Sequence, residues 1–299
     1  MDRRPSAGGV AHRPDDRVVR RGGWASGGGL PPHEALSLIS LARRDGRPLR
    51  IGHRGAAALA PENTLRSFRA AHDAGVDLIE FDVRELVSGE LVVAHSDDLY
   101  EVSHGAAKGS VREKALGDLR DLCPDLPTLD DALRFFVEDA PDTGVHIDLK
   151  TPSTARGVAS ALVRLELVER SFVSSFHRTA LRELARLEPR VPLGISFPQD
   201  RVGMYGRRGL GLAVTGGLRG LRTITPWLAG ALLARSGATA LVLHHELVSR
   251  AAVRRAHDRG ASVVAWTVDD PRDLARVDAA GVDAVVTNDP RIFASTLET

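Results

Sequence analysis

A regular alternation of short β-rich runs and amphipathic helical stretches, from about residue 48 onwards, most constrains the fold of this chain. Eight principal runs can be distinguished, from "RPLRIGH" to "VDAVVT", and helical stretches such as "TLRSFRAAHDAG" separate them. Strands that alternate with helices predict parallel βαβ units. Eight such units in about 250 residues is the size of a (β/α)₈ barrel. We therefore expect an α/β fold, a (β/α)₈ TIM barrel over residues 48–299, with an open doubly wound sheet as the alternative.

Three segments depart from this rhythm. Residues 1–47 are predicted to form a disordered or extended N-terminal tail, because their first part is rich in Gly, Arg, Asp and Pro without periodicity. "ELVVAH" and the Gly89 turn before it suggest a hairpin after the second strand, and we expect a small insertion at about 88–125. Arginines among Gly and Leu in 202–222 leave two interpretations open, a loop over the site or a weak contact with a membrane surface.

The charge balance and the cysteine count exclude several classes of function. Lys and Arg total 40 against 39 acidic residues, so the chain lacks the general basic field of a nucleic-acid-binding protein. One cysteine, Cys123, excludes an intrachain disulfide framework and a zinc site built from several cysteines. The N-terminus lacks the apolar core of a signal peptide, and no apolar run is long enough to span a bilayer. We expect a cytoplasmic protein, and its oligomeric state stays open.

Polar side chains stand at the ends of the predicted strands, where barrel enzymes carry their catalytic groups. The first strand ends in His53 and Arg54, and the hairpin strand ends in His95. Two histidines suit a general base and a general acid that act at opposite ends of a displacement. Alone, each of these residues is also compatible with an ordinary polar strand end, so the prediction depends on what the neighbouring strands carry.

Two of those strands carry carboxylates on one face. "DLIEFDV" places Glu80 and Asp82 two residues apart, and "HIDLK" repeats this spacing with Asp148 and Lys150. Side chains two residues apart in a strand point to the same side. Three convergent carboxylates repel one another unless a cation lies between them, and oxygen ligands favour Mg²⁺ or Ca²⁺. An arginine and a lysine beside such an ion suit a phosphate, so the set predicts phosphoryl chemistry.

The chain resembles the glycerophosphodiester phosphodiesterase family. The resemblance runs from about residue 50 to 292 and rests on motifs in the family's order: "HRG", "PENT", "IEFDV", "VVAH", "IDLK", "SSF", "AWTV" and "TNDP". It implies a (β/α)₈ barrel that hydrolyses glycerophosphodiesters to glycerol 3-phosphate and an alcohol. It also implies a mechanism in which the substrate's own 2-hydroxyl attacks phosphorus and a cyclic phosphate is then opened by water.

The resemblance carries roles over to individual residues of this chain. His53 and His95 would be the acid/base pair, and Arg54 and Lys150 would hold phosphate oxygens. The metal ligands would be Glu80, Asp82 and Asp148, with Glu62 of "PENT" as a candidate fourth ligand. Trp266, at the end of the seventh strand, is either a wall of the glycerol pocket or a core residue.

Two positions depart from the family pattern and leave alternatives open. The family usually has Glu where this chain has Asp148, and an Asp after the hairpin histidine where this chain has Ser96. A shorter carboxylate changes the reach to a metal, and a lost one changes how His95 is held. These departures leave open a barrel that binds phosphodiesters without turnover. The resemblance leaves a second alternative, a lysophospholipase D- or sphingomyelinase-type phosphodiesterase on lipid substrates, since relatives of this barrel act on such substrates.

Overall fold

The computed structural model of this chain describes residues 39–199 and 211–294, with the backbone alone at 211–215. Its strands confirm the predicted barrel. In chain order they are β1 (Leu49–Gly52), β2 (Leu78–Glu85), β3 (Leu91–Val93), β4 (Gly144–Leu149), β5 (Ser171–Ser175), β6 (Leu193–Phe197), β7 (Ala240–His244), β8 (Ser262–Trp266) and β9 (Ala284–Thr287).

Eight of these strands form a closed parallel barrel. They pair in the order β1-β9-β8-β7-β6-β5-β4-β2, and β1 also pairs with β2, which closes the ring. β3 pairs antiparallel with β2, with Val83 opposite Val93, so the predicted hairpin is confirmed as an extra strand outside the ring. Closure excludes the open doubly wound sheet, and it directs the C-terminal ends of all eight strands to one mouth.

Helices connect the strands around the outside of the barrel. In the described residues they are α1 (Leu65–Asp73), α2 (Leu99–Val102), α3 (Leu116–Leu122), α4 (Leu129–Glu138), α5 (Thr154–Arg164), α6 (Arg178–Leu187), α7 (Gly211–Ser236), α8 (Arg250–His257) and α9 (Pro271–Ala280). Short 3₁₀ turns cover Val168–Arg170, His245–Leu247 and Pro290–Phe293. Within these bounds no helix combines the length and the apolar character needed to cross a bilayer.

The structure differs from the predicted elements in three places. The insertion contains α2 and α3, although the polar sequence at 96–125 shows no clear period. α7 begins at Gly211, well before Pro226, where the proline pattern predicts a helix start, so Pro226 lies inside the helix. The stretch "DPRIFAST" after the last strand predicts a closing helix, but in the described residues it forms only the 3₁₀ turn Pro290–Phe293.

The N-terminal tail prediction falls mostly on residues 1–38, which lie outside the described residues, as do 202–210 of the Arg-rich segment. The last part of that predicted tail packs against the barrel: Leu41 is buried with Leu49 and Leu78, and the backbone N–H of Ile39 donates to the carbonyl of Glu169.

The turn after β1 has the shape that presents His53 and Arg54 to the mouth. Gly55 has φ 87°, and a Cβ there would collide with the side chain of Ser67, so only glycine fits. Thr64 of "PENT" caps α1 by accepting from the backbone N–H of Ser67 at 3.2 Å. The turn and the helix start are thus held against each other directly beside the site.

Candidate active site

The register of neighbouring strands places the predicted carboxylates side by side. Asp82 of β2 lies opposite Asp148 of β4, and Asp148 lies opposite Ser174 of β5. Glu80 lies one step deeper, opposite His146. Because laterally paired residues share a face of the sheet, all five side chains point into the barrel near its C-terminal end.

Lys150 joins two of these carboxylates. Its Nζ lies 2.6 Å from Asp82 Oδ1 and 2.7 Å from Asp148 Oδ2. The other oxygen of Asp82 accepts from Asn63 Nδ2 at 2.9 Å, and the Asp82 backbone N–H donates to Asn63 Oδ1 at 3.2 Å. Asn63 adopts φ 58°, a left-handed conformation that asparagine tolerates, to make both bonds. The asparagine of "PENT" therefore fixes the orientation of Asp82.

Ser174 and His146 hold Asp148 from below. Ser174 Oγ donates to Asp148 Oδ1 at 2.7 Å and lies 2.9 Å from His146 Nε2. A carboxylate only accepts, so the serine proton points to Asp148 and His146 Nε2–H donates to the serine oxygen. This series of hydrogen bonds leaves Asp148 Oδ2 as the oxygen that faces Lys150.

Arg54 links β1 to the carboxylates of the mouth. Its backbone N–H donates to Glu80 Oε2 at 2.8 Å, from a residue with φ 52°. Its guanidinium NH1 contacts both oxygens of Glu62, at 2.8 and 2.7 Å, and its Nε lies 3.3 Å from Asp82 Oδ2. That Nε is buried without a hydrogen bond of good geometry. The guanidinium thus has donor capacity that an anion in the cavity could use.

The orientation of His53 is fixed by two residues after β9 and β8. Asn288 Nδ2 donates to Asp269 Oδ2 at 2.7 Å, which turns Asn288 Oδ1 toward His53 Nδ1 at 2.7 Å. The amide oxygen only accepts, so His53 carries its proton on Nδ1. Its Nε2 is left as a lone pair, 3.9 Å from Glu80 Oε2. His53 is therefore set up to accept a proton at Nε2.

All the predicted site residues except Glu62 meet in one cavity of about 610 Å³ at the mouth. His95 lies at its edge, where Arg84 Nε and NH2 donate to the His95 carbonyl oxygen at 3.1 and 2.6 Å. Trp266 forms part of the wall; its Nε1 donates to the Val242 carbonyl at 3.3 Å and its ring packs edge-on against Phe176. The predicted site residues among the lining are His53, Arg54, Glu80, Asp82, His95, Asp148, Lys150 and Trp266.

Glu62 occupies a different position from the other predicted ligands. Its side chain is 44% exposed, and it lines a neighbouring cavity of about 530 Å³ between "PENT" and the insertion. The two cavities share His95, Ser96 and Glu101. Ser96, where the resemblance implies an Asp, accepts from the backbone N–H of Asp98 at 3.0 Å.

Burial and charge shift the pKa values of these groups in opposite directions. Burial raises the pKa of Glu80 well above its usual range, and the charge of Asp82 raises it further. Burial would also raise the pKa of Asp82, but the charges of Lys150 and Arg54 outweigh it and hold that pKa well below its usual range. Burial lowers the pKa values of His53 and His95 to about 3 each, so both rings are neutral at neutral pH.

The charge balance at the mouth and the chemistry of its ligand groups bear on whether a hard divalent cation fits there. Four carboxylates, Glu62, Glu80, Asp82 and Asp148, lie at the mouth, and the cationic side chains in direct contact with them are Arg54 and Lys150. Arg84 also lines the cavity, but its guanidinium donates to the His95 carbonyl instead. The raised pKa of Glu80 marks the place where positive charge is short. Within the described residues no three such ligand groups already converge on one point, and the Lys150 amino group lies between two of them instead. The donor set and its excess of negative charge fit Mg²⁺ or Ca²⁺.

Sequence comparison agrees with this arrangement. The profile of the glycerophosphoryl diester phosphodiesterase family matches residues 53–292, which is most of the chain. The chain belongs to this family. Family membership makes it a phosphoric diester hydrolase. It is 26% identical over 260 residues to the glycerophosphodiester phosphodiesterase of Caldanaerobacter subterraneus, covering 82% of this chain and 95% of that protein. It is 25% identical over 293 residues to the Bacillus subtilis glycerophosphodiester phosphodiesterase, covering 88% and 91%.

Solved structures of family members have the same fold. A phosphodiesterase from Oleispira antarctica, solved in complex with the product sn-glycerol-3-phosphate, superposes with a TM-score of 0.64 at 21% identity, covering 85% of this chain and 98% of that one. The glycerophosphodiester phosphodiesterase of Thermotoga maritima gives a TM-score of 0.63 at 22% identity, with coverage of 83% and 98%. At these identities the likeness establishes the TIM barrel.

Proposed function

We propose that this member of the family hydrolyses glycerophosphodiesters to glycerol 3-phosphate and an alcohol. The observation that carries the proposal is the single cavity in which three carboxylates, an arginine, a lysine and two histidines meet. The product found in the Oleispira antarctica relative supports glycerol 3-phosphate as the product here.

Glu80, Asp82 and Asp148 are the proposed ligands of one divalent cation, Mg²⁺ or Ca²⁺, with Glu62 as a candidate fourth. When bound, such a cation supplies charge neutralisation at a phosphate oxygen and lowers the pKa of a hydroxyl beside it. Arg54 and Lys150 are the proposed phosphate-binding residues, because a forked guanidinium and a compact ammonium complement a phosphodiester anion. Trp266 and Phe176 offer the apolar wall against which the glycerol carbons would pack.

The two histidines are proposed to move the protons. His53 accepts the proton of the substrate 2-hydroxyl at Nε2, since Asn288 holds the Nδ1 proton in place. The hydroxyl oxygen bonds to phosphorus as the bond to the departing alcohol breaks, and His95 gives that alkoxide a proton. The anionic phosphodiester beside both rings favours the protonated form of the one that donates. Water then opens the cyclic phosphate with the two roles reversed.

The test is a hydrolysis assay of the full chain with glycerophosphocholine and glycerophosphoethanolamine, with and without Mg²⁺, Ca²⁺ and a chelator. We expect release of glycerol 3-phosphate that stops on chelation and returns when the ion is restored. Lysophosphatidylcholine and sphingomyelin are assayed in parallel, and faster turnover of either would favour the lipid-substrate alternative. No turnover of any diester with any ion would support the binding-only alternative and overturn the proposal.

Binding of the ion is measured separately, by calorimetry and by thermal melting without substrate. We expect the ion to raise the melting temperature of the wild-type chain and to have a much smaller effect on Glu80→Gln. This readout separates a failure to bind the ion from a failure to turn over the diester.

A further inference from the structure

Glu62 differs from the other predicted metal ligands in what its carboxylate contacts. Both of its oxygens accept hydrogen bonds from Nη1 of Arg54, at 2.8 and 2.7 Å. The other three predicted ligands line the main cavity, whereas Glu62 lines the neighbouring cavity on the side of the insertion. The charge of Glu62 is thus already paired with a guanidinium, outside the cavity in which a cation would bind.

The backbone on either side of Glu62 is held in place. Oγ1 of Thr64 donates to the carbonyl oxygen of Pro61 at 2.7 Å, and the backbone N–H of Asn63 donates to the carbonyl oxygen of Arg54 at 3.0 Å. The second of these bonds joins the turn directly to the residue that the Glu62 side chain contacts. Glu62 therefore reaches Arg54 from a fixed frame, although 44% of its side chain is exposed.

The contact with Glu62 uses one part of the Arg54 guanidinium and leaves another part open. Nε lies 3.3 Å from Asp82 Oδ2 but is buried without a hydrogen bond of good geometry. Nη2 has no hydrogen-bond partner in the described part of the chain and, unlike Nε, is open to solvent. The N–H groups of Nε and Nη2 point in parallel from one edge of the planar guanidinium, and such an edge binds an oxyanion as a fork.

Carboxylates attract Arg54 from two sides. Burial would lower the pKa of Arg54, but three surrounding carboxylates outweigh it and raise that pKa. Two of them, Asp82 and Glu80, line the main cavity, and Glu62 lies outside it. Without the outer carboxylate, only the inner ones would attract the guanidinium, and its open edge would turn toward them instead of toward a bound anion.

We propose that Glu62 is a positioning residue, which holds Arg54 so that the edge formed by Nε and Nη2 faces the phosphate of a bound diester. In this role Glu62 is not the fourth ligand of the divalent cation. The inference rests on the proposed function, since it takes Arg54 as a phosphate-binding residue. Glu62 then contributes to the affinity for the phosphate group, and it contributes neither to cation binding nor to the movement of protons.

The test compares the wild type with Glu62→Gln, which keeps the length of the side chain and removes its charge. Calorimetry measures binding of Mg²⁺, and then of glycerol 3-phosphate in a buffer that contains Mg²⁺. We expect the affinity for glycerol 3-phosphate to fall about tenfold, because a charge-assisted hydrogen bond becomes a neutral one. The affinity for Mg²⁺ should stay within about twofold, since the removed charge is exposed and screened.

Turnover of glycerophosphocholine gives a second readout. KM should rise about tenfold in Glu62→Gln while kcat stays within about twofold, as expected for a group that aids ground-state and transition-state binding equally. In an Arg54→Gln background the same change should cause no further loss of glycerol 3-phosphate affinity, because Glu62 acts through that guanidinium. Glu113→Gln is the matched control: it removes an exposed glutamate of the insertion and should behave as the wild type.

Four results would overturn the proposal. A tenfold or greater fall in Mg²⁺ affinity together with a lower kcat, on the order expected for a lost ligand, would make Glu62 a metal ligand. Tighter binding of glycerol 3-phosphate by Glu62→Gln would make Glu62 a competitor of the phosphate. An undiminished loss in the Arg54→Gln background, or a wild type that does not bind glycerol 3-phosphate, would also contradict it. A wild type that binds glycerol 3-phosphate but hydrolyses no diester would refute the proposed function alone, and the binding comparison would still decide the role of Glu62.

Discussion

Replacing Lys150 by methionine tests the electrostatics of the site without reference to turnover. Lys150 Nζ contacts Asp82 and Asp148 at 2.6 and 2.7 Å, and the three side chains are 13%, 1% and 8% exposed. Methionine keeps much of the volume and removes the charge, so it leaves two buried carboxylates without their shared cation. Removing one member of a buried ion pair costs about 3–5 kcal/mol, because the remaining charge stays desolvated.

The hydrogen bonds that Asp82 and Asp148 keep in the variant place the expected loss of stability at the lower end of that range. Asp82 keeps its bond from Asn63 at 2.9 Å, and Asp148 keeps its bond from Ser174 at 2.7 Å. We expect the free energy of unfolding to fall by about 3 kcal/mol. A loss of that size lowers the melting temperature by about 6–12 °C for a domain of this size.

The measurement is urea unfolding followed by circular dichroism, in a buffer that contains chelator. Lys108→Met is the matched control, since Lys108 is an exposed lysine of the insertion and its replacement should change the stability by less than about 0.5 kcal/mol. If the Lys150 variant unfolds at the same urea concentration as the control, the carboxylates do not depend on this lysine and the description of the site is wrong.

Three further predictions concern the groups that support the site and the barrel. Asp77→Asn should lower the free energy of unfolding by about 3 kcal/mol at pH 7: burial would raise the pKa of Asp77, but hydrogen bonds from Arg50 outweigh it and lower that pKa. A carboxyl with a lowered pKa stabilises the fold fully above its unfolded pKa of about 3.9, and this effect is lost as the pH falls through the folded pKa. Urea unfolding should therefore show the stability difference between wild type and Asp77→Asn shrinking toward pH 3. A stability difference that stays constant with pH would contradict the assignment. Asn288→Ala should lower kcat about 10²-fold with little change in KM, because His53 loses the partner that fixes its proton on Nδ1; an unchanged kcat would refute this role. Ser174→Ala should weaken Mg²⁺ binding about tenfold in calorimetry, whereas Ser174→Thr, which keeps the hydroxyl, should bind as the wild type does, and equal loss in both would point to packing instead.

Local pattern was enough to predict the barrel and the strand ends that carry its charged groups. The period-2 placement of Glu80 and Asp82 gave the correct face of β2 without any knowledge of its neighbours. That Asp82 lies beside Asp148, and Asp148 beside Ser174, depends on the register between strands that are far apart in the chain. Register is a property of the closed barrel and cannot be read from one strand.

The hydrogen bonds that support the site could not be predicted from the sequence for the same reason. "PENT", "SSF" and "TNDP" belong to the quoted resemblance, but these motifs do not show which side chains form hydrogen bonds with one another. The structure pairs Asn63 with Asp82, Ser174 with Asp148 and Asn288 with His53. Each contact joins residues at least 19 positions apart.

Local sequence signals were misleading for α7 and for the insertion. Pro226 and the glycines before it favour a break, yet the helix continues through them from Gly211. The polar stretch at 96–125 conceals α2 and α3, since their few apolar residues pack on a small core of their own, with Leu99, Leu119 and Cys123. Tertiary packing overrides weak propensity in both cases.

The most direct test of the central claim is the rate of glycerol 3-phosphate release from glycerophosphocholine by His53→Gln and His95→Gln, beside the wild type. We predict that each variant folds as the wild type does, binds the divalent ion measurably, and turns over about 10²–10⁴-fold more slowly. Wild-type rates in either variant would contradict the assignment of these two histidines as the groups that move protons in this cavity.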